Sequence, residues 1–169
     1  MDGVGEIGVA KKLSSHKLMT ALTKQHSIDQ ISPIYKKSIF YNLIALSCGT
    51  SRDSYERLNK ILKKFPKFNF ICIDVANGYS ENFSKFVSEV RKKYPKKTII
   101  AGNVVTADMT QELVLSGADI VKVGIGPGSV CTTRIQTGVG DPQLSAVMEC
   151  ADAAHGLGAH IIADGGCTC

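Results

Sequence analysis

Short apolar runs alternate with amphipathic stretches along almost the whole chain. The runs cover residues 18–22, 39–46, 70–75, 98–105, 119–123 and 160–163. Several are continuously apolar rather than alternating, the pattern of strands buried on both faces in a parallel sheet. Between them, Tyr55, Leu58, Ile61, Leu62 and Phe65 recur at helical spacing, as do Phe83, Phe86, Val87 and Val90 after a turn at Asn77-Gly78. A third helix is predicted from an N-cap at Thr106 to Gly117. A fourth should run from about Pro142 to Gly156 with Leu144, Val147, Met148 and Ala151 facing inward. Strand followed by helix, repeated, predicts an α/β fold with right-handed crossovers.

Two parallel architectures compete, an open doubly wound sheet and a closed (β/α)8 TIM barrel. Glycine-rich or polar segments follow four successive strands: Asp74-Val-Ala-Asn-Gly78, Gly102-Asn-Val-Val, Gly124-Ile-Gly-Pro-Gly128 and Asp164-Gly-Gly166. In a barrel every βα loop opens onto one face, so all four would line one site. In an open sheet only the loops at the switch point converge. The four loaded loops favour the barrel. Such a barrel needs eight strands and usually about 250 residues, whereas the chain has 169 and shows about six strands. The expectation is one domain over 1–169, an incomplete barrel lacking parts at both ends.

Composition changes this picture little. Hydrophobic residues make up 44% and charged residues 21%, which is ordinary for a globular protein. No apolar run approaches the roughly 20 residues of a membrane span. The amino terminus lacks the basic and apolar regions of a secretory signal, so a cytoplasmic location is expected. The net charge of +5 would matter if it formed a patch. Instead Lys63, Lys64, Arg91, Lys92, Lys93, Lys96 and Lys97 cluster at predicted helix ends, where cations complement the helix dipole. With no binding motif beside them, a nucleic-acid partner is not expected. Six cysteines without a secretory signal read as thiols, Cys72 and Cys150 as buried ones. The Cys167-x-Cys169 pair has no second ligand pair and is not read as a zinc site.

The densest chemistry lies in Val123-Gly-Ile-Gly-Pro-Gly-Ser-Val-Cys-Thr-Thr-Arg134. Three glycines and a proline within five residues let backbone approach a ligand closely. Consecutive N–H groups there can hold a phosphate, with the Ser129 hydroxyl as a further donor. Its carbonyls can equally coordinate a monovalent cation. Cys131 follows at the presumed active face, where N–H dipoles and Arg134 would favour the thiolate that attacks. Thr133, two residues on, can relay protons. The alternative is a buried core cysteine, and spacing alone leaves both open. The segment is not a Gly-x-Gly-x-x-Gly dinucleotide fingerprint, nor a Walker loop, since no Gly-Lys-Ser/Thr follows.

Gly124-Ile-Gly-Pro-Gly-Ser-Val-Cys-Thr-Thr-Arg134, with Thr137-Gly-Val-Gly and Pro142-Gln143, resembles the cysteine loop shared by GMP reductases and IMP dehydrogenases. The flanks Cys72-Ile-Asp-Val-Ala-Asn-Gly-Tyr-Ser80, Leu144-Ser-Ala-Val-Met-Glu-Cys-Ala-Asp-Ala-Ala-His-Gly156 and Asp164-Gly-Gly-Cys-Thr-Cys169 resemble the reductases. The likeness covers essentially the whole chain and is weakest between Asp29 and Arg52.

The resemblance implies a (β/α)8 barrel assembled as a homotetramer that converts GMP and NADPH to IMP, NADP⁺ and ammonia. It places Cys131 as the nucleophile at purine C2, giving a thioimidate, and Thr133 as proton donor or acceptor. Asp164, Gly165 and Gly166 would hold the nucleotide, and Ser129 would touch its phosphate. Lys24, Asp74, Val75, Ala76, Ile125 and Gly126 match cofactor-binding positions, and Gly126, Gly128, Cys131 and Arg134 a potassium site. Oxidation of IMP with NAD, as in IMP dehydrogenases, is one alternative. A nucleotide-binding fragment without turnover is another. Departures are Asp141 where the family carries an aromatic, Gly3 where it carries threonine, and expected absences. The latter are an early barrel segment before Met1 and, after Cys169, a second phosphate-binding Gly-Gly loop and a Glu-bearing loop.

Other polar residues read more plainly. His155 suits a surface or C-capping place, and His16 and His160 suit surface or strand-start positions. His26 stands beside the cofactor lysine. Asp119 is expected to cap the start of a strand, and the Asn103 amide can face the nicotinamide.

Overall fold

The computed structural model describes residues 3–36 and 38–167; Met1, Asp2 and the Cys169 partner of Cys167 lie outside them. The chain forms two compact units. One comprises Met1–Ile73 with Lys96–Thr98, and the other Asp74–Pro95 with Ile99–Cys169.

The first unit holds α1 (Ile7–Ser15), β1 (Thr20–Leu22), α2 (Ile28–Tyr35), α3 (Ser38–Tyr41), β2 (Ile44–Cys48), α4 (Arg52–Lys64) and most of β3 (Phe70–Asp74). β1, β2 and β3 are parallel neighbours in chain order, with Thr20 opposite Ile44 and Leu46 opposite Ile71. Leu58, Ile61 and Leu62 of α4 are buried, as their spacing predicts. Ser27 and Gln30 form a reciprocal capping box at the start of α2.

The second unit holds α5 (Glu81–Lys93), β4 (Thr98–Val104) from Ile99 onward, α6 (Ala107–Leu115), β5 (Ile120–Val123), α7 (Thr133–Thr137), α8 (Gln143–Gly156) and β6 (His160–Ala163). β4, β5 and β6 are again parallel and in chain order. In neither unit does the order reverse, as it must in a doubly wound sheet. The fold is α/β, with six strands of an incomplete (β/α)8 barrel. Among the described residues, no helix is long and apolar enough to cross a membrane.

Three expectations change. The run 39–46 is not one strand: its first part is α3, a turn closes from Leu43 N to Phe40 O, and β2 begins at Ile44. Tyr41 instead joins an aromatic cluster with Tyr35, and a long apolar run does not by its period distinguish helix from strand. β1 starts at Thr20 rather than Leu18, because the end of α1 closes with Leu18 N donating to Leu13 O. The inward face of α8 is Gln143, Ala146, Cys150, Ala153 and Ala154, while Leu144 and Met148 are 74% and 66% exposed. Small side chains let α8 approach α6 and the strands closely, and the large ones are left outside.

Lys63 and Lys64 fall in the last turn of α4 and Arg91, Lys92 and Lys93 in that of α5, as the dipole argument expects, whereas Lys96 and Lys97 lie past α5 and Lys97 Nζ donates to Phe68 O at 2.6 Å. Thr106 is the N-cap of α6, but its hydroxyl pairs with the Tyr79 hydroxyl at 2.9 Å. The Ala107 N–H is satisfied by Glu149 Oε1 at 2.9 Å instead.

Candidate functional site

β3, β4, β5 and β6 end in short loops that carry most of the expected site residues. Gly102 sits in β4 because a Cβ there would run into the backbone carbonyl of Lys122 on β5. Val75 N donates to Gly102 O, and Asn103 N donates to Val75 O, both at 2.9 Å. The Asp74-Val-Ala segment is thereby fixed to the end of β4.

Four polar side chains meet near the carboxyl ends of these strands. Lys122 Nζ stands 2.6 Å from Asp74 Oδ1 and 3.1 Å from Asp164 Oδ2. Asn103 Nδ2 donates to Asp164 Oδ2 at 2.8 Å and to Gly124 O at 2.6 Å. Burial by itself would raise the Asp164 pKa. The Asn103 amide and the Lys122 ammonium outweigh it and hold the carboxyl below its ordinary value. The Asn103 side chain is buried and leaves Oδ1 without a hydrogen-bond partner. Sequence reading left Lys122 out, although a lysine in the middle of the buried strand Ile-Val-Lys-Val is itself a signal. A charge inside a strand needs partners, and residues at the strand ends supply them.

The cysteine loop leaves β5 at Gly124, whose φ of 142° is open to glycine and little else. The loop folds back on itself: a Cβ at Gly126 would lie 3.0 Å from Arg134 Cγ and 3.4 Å from Thr133 Cβ. The Asp164-Gly-Gly166 turn packs against it, with a Cβ at Gly166 falling 2.6 Å from Pro127 Cβ. Cys131 is half-buried and Ser129 exposed. Cys131 Sγ lies 3.3 Å from Thr133 Oγ1.

The Thr133 hydroxyl and backbone N–H lower the Cys131 thiol pKa, with a smaller contribution from the Arg134 charge, against a small opposing effect of desolvation. Burial pushes the Cys150 thiol the other way, only partly offset by Thr110. The sealed-core alternative for Cys131 therefore does not hold, whereas it describes Cys72 and Cys150, which are 2% and 0% exposed. A thiol with a lowered pKa that is open to solvent carries more of the reactive thiolate than a buried one.

Thr133→Val is expected to slow alkylation of Cys131 several-fold at neutral pH, because losing the hydroxyl raises the thiol pKa. The two proteins should react equally fast well above both midpoints. An unchanged pH–rate midpoint, read by mass spectrometry of the alkylated peptide, would show that Thr133 does not tune the sulfur.

Lys24 belongs to the first unit, exposed two residues past β1, with its Nζ over Gly49. Its neighbour His26 is buried, with Nε2 3.1 Å from Gly5 O and 3.5 Å from Glu6 Oε2. His26 has a structural task and no open face for a ligand. His16, His155 and His160 are exposed as expected. Asp119 Oδ2 accepts from Ile99 N at 2.7 Å and pairs with Arg91, so it joins the starts of two strands.

Curated GMP reductases are similar to this chain along its whole length. GMP reductase 2 of Bos taurus is 56% identical over 170 residues, covering 100% of this chain and 49% of its own length. GMP reductases of Caenorhabditis elegans and Klebsiella pneumoniae are 54% and 56% identical, each over 99% of this chain and 48% and 49% of their own. The chain thus spans about half the length of the curated relatives it matches. The family model described as IMP dehydrogenase / GMP reductase domain matches residues 1–169. With a glycine-cradled thiol following a parallel strand and that match over its full extent, the chain belongs to the IMP dehydrogenase / GMP reductase family.

Proposed function

We propose that this protein acts as a GMP reductase, converting GMP to IMP and ammonia at the expense of NADPH. The observation that carries the reading is the half-exposed Cys131 thiol, 3.3 Å from Thr133 Oγ1 and held toward its thiolate. The Asp164 turn packed on the same loop supports it.

In this reading the Cys131 thiolate bonds to purine C2, and Thr133 helps deliver the proton with which the 2-amino group leaves as ammonia. NADPH, when bound, supplies the hydride that replaces the amino group at C2. The carbon–sulfur bond then breaks and Cys131 recovers its thiolate. Dividing one difficult substitution into covalent capture and reduction lowers both barriers. Asp164, ionised and half-exposed, suits ribose hydroxyls. Gly165 and Gly166 let the nucleotide approach, and Ser129 offers an exposed hydroxyl to its phosphate.

The residues present fit the cofactor. Asp74 keeps 40% of its side chain exposed at the end of β3, where it can accept hydroxyl hydrogens. The orphaned Asn103 Oδ1 suits a carboxamide N–H of the nicotinamide. Val75, with both backbone groups engaged, would contribute shape, beside Ala76, Ile125 and Gly126. Potassium fits as well. Gly128 O and Arg134 O each accept one backbone hydrogen bond and retain a lone pair, and with the carbonyls of Gly126 and Cys131 they would offer a hard cation oxygen donors only. A homotetramer rests on the family resemblance alone, and a cytoplasmic location on the sequence reading alone.

The test is to incubate the protein with GMP and NADPH, and separately with IMP and NAD⁺. Ammonia release and NADPH consumption in the first mixture alone are expected. NADH formation in the second alone would replace the reading with an IMP dehydrogenase. Nucleotide binding without turnover in either would leave a binding module.

A further inference from the structure

Lys122 is the charged residue in the middle of β5, between Val121 and Val123, which are fully buried. Its side chain is only 19% exposed. An ammonium taken this far from water is tolerated when oxygen acceptors replace the solvent. Asp74 at the end of β3 and Asp164 just past β6 do so from two different strands. The need is mutual, because two carboxylates within hydrogen-bonding reach of one nitrogen repel each other unless a cation lies between them.

The geometry also divides the labour. Asp164 has a second anchor in Asn103 Nδ2, whereas the shorter of the two Lys122 contacts goes to Asp74. Both carboxylates remain more than a third exposed and open to ligand.

We propose that Lys122 is a positioning residue that serves two pockets at once, aiming the Asp74 carboxylate at the dinucleotide and the Asp164 carboxylate at the purine nucleotide. This rests on the functional reading above, which places the two ligands on those two carboxylates. One side chain then sets the affinity for both ligands without contacting either, and removing its charge loosens both pockets together.

The experiment is calorimetric titration of the whole chain with GMP and, separately, with NADP⁺. Lys122→Met is expected to weaken both ligands by about tenfold or more, the usual scale for stripping a half-buried charge of its partner. Lys122→Arg, which keeps the charge, should hold both within about threefold. Asp74→Asn should weaken NADP⁺ alone, an asymmetry that general loosening of the fold would not produce. Amide exchange of β5 and β6 reports folding, and Lys122→Gln takes the place of methionine if that variant loses protection. Wild-type binding of both ligands, with the neutral variant weakening one or neither, overturns the proposal and leaves the functional reading standing. A wild-type chain that binds neither nucleotide overturns both.

Discussion

Cys131→Ser is expected to reduce GMP-dependent NADPH consumption at least about a thousandfold while leaving GMP affinity nearly unchanged. Removing a covalent nucleophile costs this much or more where the rest of the site stays intact. The physical reason is local. The Thr133 hydroxyl and N–H and the Arg134 charge stabilise an anion on sulfur, whereas a serine hydroxyl stays protonated at neutral pH. No histidine stands in the cysteine loop to take its proton. Serine therefore keeps the shape and loses the reactive form. Steady-state kinetics with GMP and NADPH, beside GMP titration, separate these quantities. A serine variant retaining more than a tenth of the wild-type turnover would remove Cys131 from the chemistry.

Gly124→Ala is expected to destabilise the protein by about 2–4 kcal/mol and to weaken GMP binding with it. Two costs coincide at this position. A φ of 142° is strained for any residue with a Cβ, by roughly 1–3 kcal/mol. That Cβ would also sit 2.6 Å from Asp164 O and 3.0 Å from Gln143 Oε1. The first atom is backbone, held in place by Asp164 N donating to Val123 O at 2.8 Å. Relief requires the Asp164 turn to move away from the cysteine loop, which is why affinity should fall along with stability. Gly156→Ala is the matched control, since nothing lies within 4 Å of its added Cβ. Alanine is the better helix former there, by up to about 1 kcal/mol. Urea denaturation of the two variants should show a large loss and a small gain. Equal midpoints would mean that Gly124 is not held by the neighbours named here.

How far the site could be read in advance varies residue by residue. Cys131, Thr133 and the glycines before them form one continuous segment, so their proximity follows from chain connectivity. Asp74 and Asp164 were placed by their position after strands, which parallel βα repetition turns into a shared face. Lys122 escaped because it lies within a strand, where periodicity counts it as an interruption. The reading of α8 failed for a related reason: Leu144 and Met148 outweigh Ala146, Ala153 and Ala154 in any tally of apolarity. Packing selects what fits between α8 and its neighbours, and there the fit is to small side chains.

Local patterning along the chain carries the alternation of strand and helix, four of the six strands to within one residue, and the candidate chemistry of the cysteine loop. Each of these depends on residues close together in the chain, whose spacing fixes period, turn and cap. Tertiary packing alone brings Asp74, Asn103, Lys122 and Asp164 into one network. It also decided that His26 is spent on Gly5 and Glu6, and which face of α8 turns inward. Those outcomes depend on distances between segments up to some ninety residues apart, which hydrophobic patterning does not encode and close packing does.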